Sequence, residues 1–364
     1  MISNIKNLFH NIDKIFLKKI SLTMILEQML INNKLSILDI GAVGISEKNK
    51  FNYSINKNFT KIYKVDDNLN KSNNNKDIYI NDLFWSEEKK MDFNITKNLV
   101  SSSLYKPNDK ILKNFINYDQ HSIISVKSVA TKKIENEKKI DNFDFLKIDA
   151  EGAELEILKG CGDKINDVIG VEIECQFIER YVESPLFDEV HSFLKNKGFE
   201  LYLINSENWI RNKNYTNSLS NHKVIWADFV YFKKIEHIER LISLKKDANI
   251  LEKIIILLVM YRFYDEAIFL LNEIYNKSLL SENLKKDLSS FISANKDSNI
   301  KIFFKSLLHL FFSILTLVIT FFIRNYRKQG IIFFKQSFRK FFYVLGDLFK
   351  VGDEDVNVTK DLKL

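Results

Sequence analysis

The sequence predicts an α/β protein with a doubly wound sheet and an α-helical appendage on its C-terminal side. Between residues 35 and 233, short apolar runs typical of strands alternate with runs that have helical spacing. One run, 143–160, passes from a strand directly into a helix, which is half of a βαβ unit. Residues 235–292 then read as helical, with 250–259 as their most apolar part.

The most informative run is FDFLKIDAEGAELEILKG, residues 143–160. It begins as an apolar strand and turns at Gly152 into a helix whose apolar residues can pack back on the sheet. Asp149 and Glu151 would then lie at the carboxyl edge of the sheet, where open α/β sheets bind their ligands. The structural alternative is an ordinary strand end, because Asp and Gly terminate strands and Glu is common in a first helical turn.

A glycine turn follows the first predicted strand, Leu35–Ile40. Gly41 and Gly44 would let the backbone approach a nucleotide-like ligand closely, although this pattern alone occurs in many α/β proteins. A second strand, 61–66, ends in Asp66 at the spacing where an acid can bind a ribose diol. The predicted strands are 35–40, 61–66, 78–84, 123–129, 143–149, 168–175, 199–204 and 224–232, and the predicted helices are 153–160 and 186–197.

The central run closely resembles the motif of the FkbM-type methyltransferases, roughly D-F-L-K-x-D-x-E/Q-G-x-E-x-x-x-L-x-G. The similarity covers about Leu35 to Lys233, and both prolines of the chain fall where the family pattern has one. It implies a Rossmann-like, seven-stranded methyltransferase sheet and S-adenosylmethionine as the methyl donor. The other segments that match the family pattern are Ser102-Ser103-Leu104 with Pro107, Arg180-Tyr181, Pro185-Leu186-Phe187, Gly198-Phe199 and Trp226-Ala227-Asp228.

Chain length, the residue patterns and the resemblance together predict a division of the chain. The methyltransferase domain would occupy residues 34–234. The flanking segments would be an N-terminal amphipathic helical region at 1–33, a helical appendage at 235–299, hydrophobic and basic membrane-associating helices at 300–350, and a flexible tail at 351–364.

The resemblance assigns donor-binding roles to residues near the first strands. The glycine turn would face the methionine and ribose parts of the donor, and Asp66 would bind the ribose hydroxyls. Asp39 would either fix the glycine turn or reach the donor amine. The full set of expected cofactor-binding residues is Asp39, Gly41, Ala42, Gly44, Asp66 and Ser103.

Three carboxylates are the candidate catalytic residues, namely Asp149, Glu151 and Glu174. Glu174 ends the strand expected to neighbour that of Asp149, so the three could bind a sugar, bind a divalent ion, or raise the pKa of one another. Because no histidine lies near these motifs, a base or an orienting acid is favoured and no metal is expected. His121 is the alternative base, although a solvated loop position is favoured for it, and Lys147 is left open between pairing with an acid and touching the donor.

The composition indicates the cellular compartment of the protein and excludes one class of partner. Two cysteines, Cys161 and Cys175, argue against a disulfide framework and suit a reducing cytosol. The net charge of +7 accompanies a lysine excess along the whole chain, without an arginine-rich stripe interleaved with aromatics, so nucleic-acid binding is not expected.

The C-terminal region predicts membrane attachment. Residues 306–323 lack Asp, Glu, Lys and Arg, and as a helix they would extend about 27 Å, slightly short of a bilayer core of roughly 30 Å. Because basic residues flank this segment on both sides and recur in 331–350, in-plane or hairpin attachment is favoured over spanning or burial in protein. Residues 4–33 predict a helix against the sheet or, alternatively, at a membrane surface.

These features together predict a cytoplasmic enzyme on the inner face of the cell membrane. It would be an S-adenosylmethionine-dependent O-methyltransferase acting on a sugar hydroxyl of a surface glycan or lipid-linked saccharide. The alternatives are a catalytically silent, membrane-associated scaffold and a methyltransferase of a small metabolite or an amine. The sequence leaves the oligomeric state open.

Overall fold

The structure is a computed structural model that describes residues 34–41, 60–65, 77–212, 222–245 and 249–275. Beyond residue 300 it describes six helical residues, at positions 307, 308, 310, 311, 314 and 338. The predicted N-terminal helical region and the predicted tail lie outside the described residues, as does almost all of 276–350.

The described residues form ten strands and six α-helices. The strands are β1 (Leu35–Ile40), β2 (Thr60–Val65), β3 (Ile78–Ile80), β4 (Leu83–Phe84), β5 (Lys90–Thr96), β6 (Ile123–Lys132), β7 (Phe145–Ile148), β8 (Gly170–Gln176), β9 (Phe199–Trp209) and β10 (Lys223–Lys233). The helices are α1 (Asp109–Leu112), α2 (Glu154–Gly160), α3 (Phe187–Asn196), α4 (Ile235–Lys245), α5 (Asn249–Met260) and α6 (Tyr264–Tyr275).

The main sheet confirms the predicted α/β class. Among the described residues, seven strands pair in the order β3-β2-β1-β7-β8-β10-β9. The first five in this order run parallel, and β10 is antiparallel to both of its neighbours. The sheet and its helices correspond to the Rossmann-like methyltransferase fold that was expected. Because the chain reverses its winding direction between β1 and β7, a ligand crevice is expected beyond their carboxyl ends.

The central strands are buried on both faces, which is why they read as nearly continuous apolar runs. On one face, Leu155 and Leu158 of α2 join the same core cluster as Leu146 and Ile148 of β7. The alternating strands and helices of the sequence therefore follow from a sheet that is covered on both sides.

A second, three-stranded sheet differs from the sequence prediction. Its order is β4-β6-β5. The single strand predicted at 78–84 is instead two strands in two sheets, because the chain breaks at Asn81 and Asp82, two residues that favour turns. Strand β5 was not predicted: its apolar residues alternate with Lys, Asp and Asn, and a register shift interrupts its pairing near Thr96.

The predicted C-terminal helices are present and cover the sheet. Helix α5 is buried along most of its length, as expected for a helix that is apolar all round. Lys253 pairs with Asp144 at 2.9 Å, and the ring of Tyr261 stacks on Phe145 at 5.7 Å between centroids. The described residues from 34 to 275 belong to one compact unit, and the predicted domain borders stay predictions.

Among the residues that the structure describes, no helix is both long and apolar enough to cross a membrane. Segment 306–323 lies largely outside them, so membrane attachment through 300–350 stays a prediction.

Candidate active site

Strands β1 and β7 are neighbours in the main sheet, and their carboxyl ends contact each other. The amide of Asp149 donates a hydrogen bond to the carbonyl of Ile40 at 3.0 Å, and the amide of Gly41 donates to the carbonyl of Val65 at 3.0 Å. Gly41 has a φ of +80°, and a Cβ there would lie 1.8 Å from the carbonyl oxygen of Asp149. Only glycine therefore lets the two strand ends approach this closely.

A cavity of about 700 Å³ opens at this edge of the sheet. Gly41 and Asp149 both line it, as do Glu151, Glu174 and Val65, the last described residue before Asp66. Much of the remaining wall is apolar and comes from the second sheet and the loops near it, through Leu83, Phe84, Phe93, Ile95, Leu99, Val100 and Leu104.

The three predicted catalytic carboxylates meet in this cavity. Asp149, Glu151 and Glu174 each place a carboxylate oxygen within 4.8 Å of the others. Asp149 and Glu174 come from the ends of β7 and β8, which pair in parallel, while Glu151 lies on the turn before α2. The three carboxylates predicted from the sequence therefore lie together in the fold, although their roles stay predictions.

Arg180 is a further residue of this cluster. Its guanidinium forms an ion pair with Glu151 and lies 3.2 Å from Oε1 of Glu174. Gln176 also donates to Glu174 Oε1, at 2.7 Å. Arg180 belongs to the family pattern, but no feature of the sequence indicates that it pairs with these acids.

The turn that carries Glu151 has an unusual backbone. Glu151 has a φ of 52°, and Gly152 follows with a φ of 100°. The hydroxyl of Ser103 donates to the carbonyl of Glu151 at 2.7 Å, and the hydroxyl of Tyr181 lies 2.8 Å from Oε2 of Glu151. Ser103 is buried and supports the turn, while its neighbour Ser102 lines the cavity, so donor contact by Ser103 stays a prediction.

Glu154 stabilises the same turn from inside the protein. Its Oε1 accepts hydrogen bonds from the amides of Ala150 at 3.0 Å and Gly152 at 3.2 Å. Burial raises the pKa of Glu154 to about 7, although these amides oppose the shift. Glu154 was not predicted as a site residue, although the family motif includes an acid at this position.

The carboxylates differ in their surroundings. Burial raises the pKa of Glu174 well above its usual range, and the charges of Asp149 and Glu154 raise it further. Within the described part of the chain, the Asp149 side chain has no hydrogen bond or ion pair. Asp149 is thus the carboxylate most available to a ligand. The three oxygens are close enough to share a cation, but the charge of Arg180 already lies against two of them.

On the donor side, Lys147 pairs with Asp39 at 3.4 Å. Burial alone would lower the pKa of Lys147, but the charges of Asp39, Asp149 and Glu172 outweigh burial and raise it. The sequence left open whether Lys147 pairs with an acid or touches the donor, and in the structure it pairs with an acid. The donor role of Asp39 stays a prediction. The expected donor residues Ala42, Gly44 and Asp66 lie outside the described residues.

His121 corrects one expectation. It was expected in a solvated loop, but only 3% of it is exposed, and its ring lies 5.2 Å from that of Trp209. Its Nδ1 lies 3.1 Å from the carbonyl of Asn117, and burial lowers its pKa. The loop before β6 folds into a 3-10 turn that packs His121 inward, and the residue does not line the cavity.

Comparison with known families agrees with this geometry. Residues 42–201 match the family model described as the methyltransferase FkbM domain. No curated protein and no solved structure has a significant match to the chain. The chain therefore carries an FkbM-type methyltransferase domain that includes the three carboxylates and Arg180, and the match supports a methyltransferase activity.

Proposed function

We propose that this protein transfers the methyl group of S-adenosylmethionine to a sugar hydroxyl of a surface glycan or a lipid-linked saccharide. The supporting observation is the cavity shared by Gly41 and the carboxylates Asp149, Glu151 and Glu174. A donor held at the glycine turn and an acceptor held at the carboxylates would meet there.

The donor half of the cavity has the form that a nucleoside-bearing ligand needs. Gly41 presents bare backbone at the topological switch point, and the strand that leads to Asp66 ends at the cavity wall. A volume of about 700 Å³ lies within the usual range for small-molecule sites.

The acceptor half supplies a base and a water-poor wall. The sulfonium already activates the methyl group, so the protein mainly aligns the reactants and excludes water. As the acceptor oxygen forms its bond to the methyl carbon, the carbon–sulfur bond breaks and the demethylated donor leaves. Asp149 takes the hydroxyl proton, because its carboxylate is the one without a partner among the described residues.

Several hydrogen-bond acceptors lie close together in the cavity, which supports a saccharide as the substrate that receives the methyl group. Glu151 and Glu174 stand beside Asp149, so a polyhydroxylated ligand could donate several hydrogen bonds at one place. Attachment of 300–350 to the inner face of the membrane would hold the enzyme beside a lipid-linked substrate in the cytoplasm.

The acceptor is tested by mass analysis of glycans from a strain that lacks the protein. The expected result is the loss of one methyl group from a sugar residue, restored by the wild-type chain and not by Asp149→Asn. An unchanged glycan with a changed amine or small metabolite would favour the alternative acceptor. No methylated product, despite donor binding by calorimetry, would favour a catalytically silent scaffold.

Membrane attachment has a separate test. Cells that express the chain without residues 300–364 should show the protein in the soluble fraction, and the full chain in the membrane fraction. A truncated chain that still sediments with membranes would contradict attachment through this segment.

A further inference from the structure

Arg180 is fixed from several sides behind Glu151 and Glu174, two carboxylates that line the cavity. Only 3% of the residue is exposed, and its Cζ lies 5.1 Å from the ring centroid of Tyr181 and 5.5 Å from that of Trp209. Its carbonyl accepts a hydrogen bond from the amide of Asn108 at 2.9 Å. The guanidinium therefore has a defined position before any ligand binds.

The guanidinium places a positive charge beside carboxylates that the fold brings close together. Glu174 is buried, and Glu151 and Asp149 each place an oxygen within 4.8 Å of it and of each other. Carboxylates this close together retain a proton or take a counter-charge, and proteins supply that charge as a metal ion or a basic side chain. Here one guanidinium nitrogen of Arg180, Nη2, contacts both Glu151 and Glu174.

The contacts are divided unequally among the three acids. Glu151 is bound by both Arg180 and Tyr181, and Glu174 by both Arg180 and Gln176. Asp149 has no hydrogen bond or ion pair with a side chain of the described residues. The arrangement thus separates two held carboxylates from one that faces the cavity unbound.

We propose that Arg180 is the positioning residue of the acceptor site. Its guanidinium takes the place between Glu151 and Glu174 that a divalent cation would otherwise occupy, and it leaves Asp149 to the acceptor hydroxyl. The statement that Asp149 binds an acceptor hydroxyl rests on the proposed function. The statement that Arg180 occupies the position of a cation between Glu151 and Glu174 does not.

The test is a titration of the purified full-length chain with Mn²⁺, followed by electron paramagnetic resonance at pH 8. The chains compared are the wild type, Glu174→Gln, Arg180→Met and the double variant with both changes. We expect the wild type to bind no Mn²⁺ at these carboxylates, so Glu174→Gln should bind the same amount of Mn²⁺ as the wild type. Arg180→Met should gain one bound Mn²⁺ that the double variant loses, because two facing carboxylates then lack a counter-charge.

Two results would overturn the proposal. One is a wild-type chain that binds one Mn²⁺ and loses it in Glu174→Gln. The other is an Arg180→Met chain that binds the donor normally by calorimetry but gains no Mn²⁺. If Arg180→Met fails to fold, the comparison of the wild type with Glu174→Gln still decides whether the place is free for a cation.

Arg180→Lys separates positioning from mere charge. A lysine keeps the charge but lacks the planar guanidinium that packs near the rings of Tyr181 and Trp209 and fixes the position of the charge. We expect methylation in the complemented strain to fall by roughly 100-fold, as misplacement by about an ångström can cause, while donor affinity stays within about twofold. Wild-type methylation by Arg180→Lys would contradict positioning. Failure of the proposed function itself would instead appear as wild-type cells without methylated product, and it would leave the Mn²⁺ result unchanged.

Discussion

The hydroxyl of Tyr261 donates a hydrogen bond to the carboxylate of Glu172 and thereby joins the C-terminal helices to the middle of the sheet. Glu172 is the cross-strand neighbour of Lys147, which in turn is the neighbour of Asp39. A row of charged side chains thus crosses three strands from the glycine-turn side to the helical appendage. Tyr261 lies beyond residues 42–201, so a part of the chain outside the matched domain supports a row that reaches the donor side.

Tyr261→Phe should reduce the free energy of unfolding by about 1–3 kcal/mol, because Glu172 would lose a buried hydrogen-bond donor. Chemical denaturation followed by circular dichroism measures the change. Tyr118→Phe is the matched control, since it removes the same hydroxyl from a side chain that is partly exposed. Equal losses in the two variants would contradict the role given to this bond.

Gly41→Ala should abolish donor binding. The added Cβ would meet the Asp149 carbonyl oxygen, and alanine is strained at a φ of +80°. Calorimetry with S-adenosylmethionine measures the loss. Gly162→Ala controls for backbone strain. Gly162 also has a positive φ, but the atoms nearest to an added Cβ belong to the flexible side chain of Glu135, away from the cavity. Donor binding by Gly41→Ala at wild-type affinity would disprove the assigned donor site.

Ser103→Ala should destabilise the fold by about 1–3 kcal/mol, because the carbonyl of Glu151 and the amide of Tyr105 would lose their buried partner. The loss should also loosen the backbone at Glu151, where φ is positive. Thermal unfolding measures the effect against Ser125→Ala, which changes an exposed serine on β6. If the two variants unfold at the same temperature, Ser103 does not hold the turn.

Glu154 should make the protein less stable as the pH rises. Because its pKa is raised to about 7 from 4.5, the folded state binds its proton more tightly than the unfolded chain does. The stabilisation from that proton is complete below about pH 4.5 and is lost by about pH 7, and it amounts to about 3 kcal/mol. Glu154→Gln keeps an oxygen for the two amides and should remove this part of the pH dependence.

The measurement is urea denaturation of both chains between pH 4.5 and 8. The stability of the wild type relative to Glu154→Gln should fall across this range. Glu156→Gln serves as a control of opposite sign: although burial opposes it, hydrogen bonds from Lys159 and Ser86 lower the pKa of Glu156, so its stabilisation is lost only as the pH falls. Parallel curves for the wild type and Glu154→Gln would show that Glu154 titrates normally.

Much of the fold could be predicted from local patterns. Strands β1, β7 and β8 have apolar runs of the right length, and the turn after β7 is marked by Asp149 and Gly152. The second sheet was harder to predict than the main sheet. Strand β5 mixes polar and apolar residues, and its polar residues range from the exposed Lys90 and Asp92 to the buried Asn94 and Thr96. Its partner β6 lies far along the chain.

The sequence by itself determined the alternation of strands and helices and the placing of Gly41, Asp149 and Glu174 at strand ends, because strand periodicity and parallel pairing put such residues at one edge. Only the tertiary structure decided which acid is held and which is unbound. Arg180 reaches Glu151 and Glu174 through loops that fold back after β8, and Ser103 and Tyr181 reach Glu151 from separate segments. Such contacts depend on the packing of distant segments, which no local pattern of residues specifies.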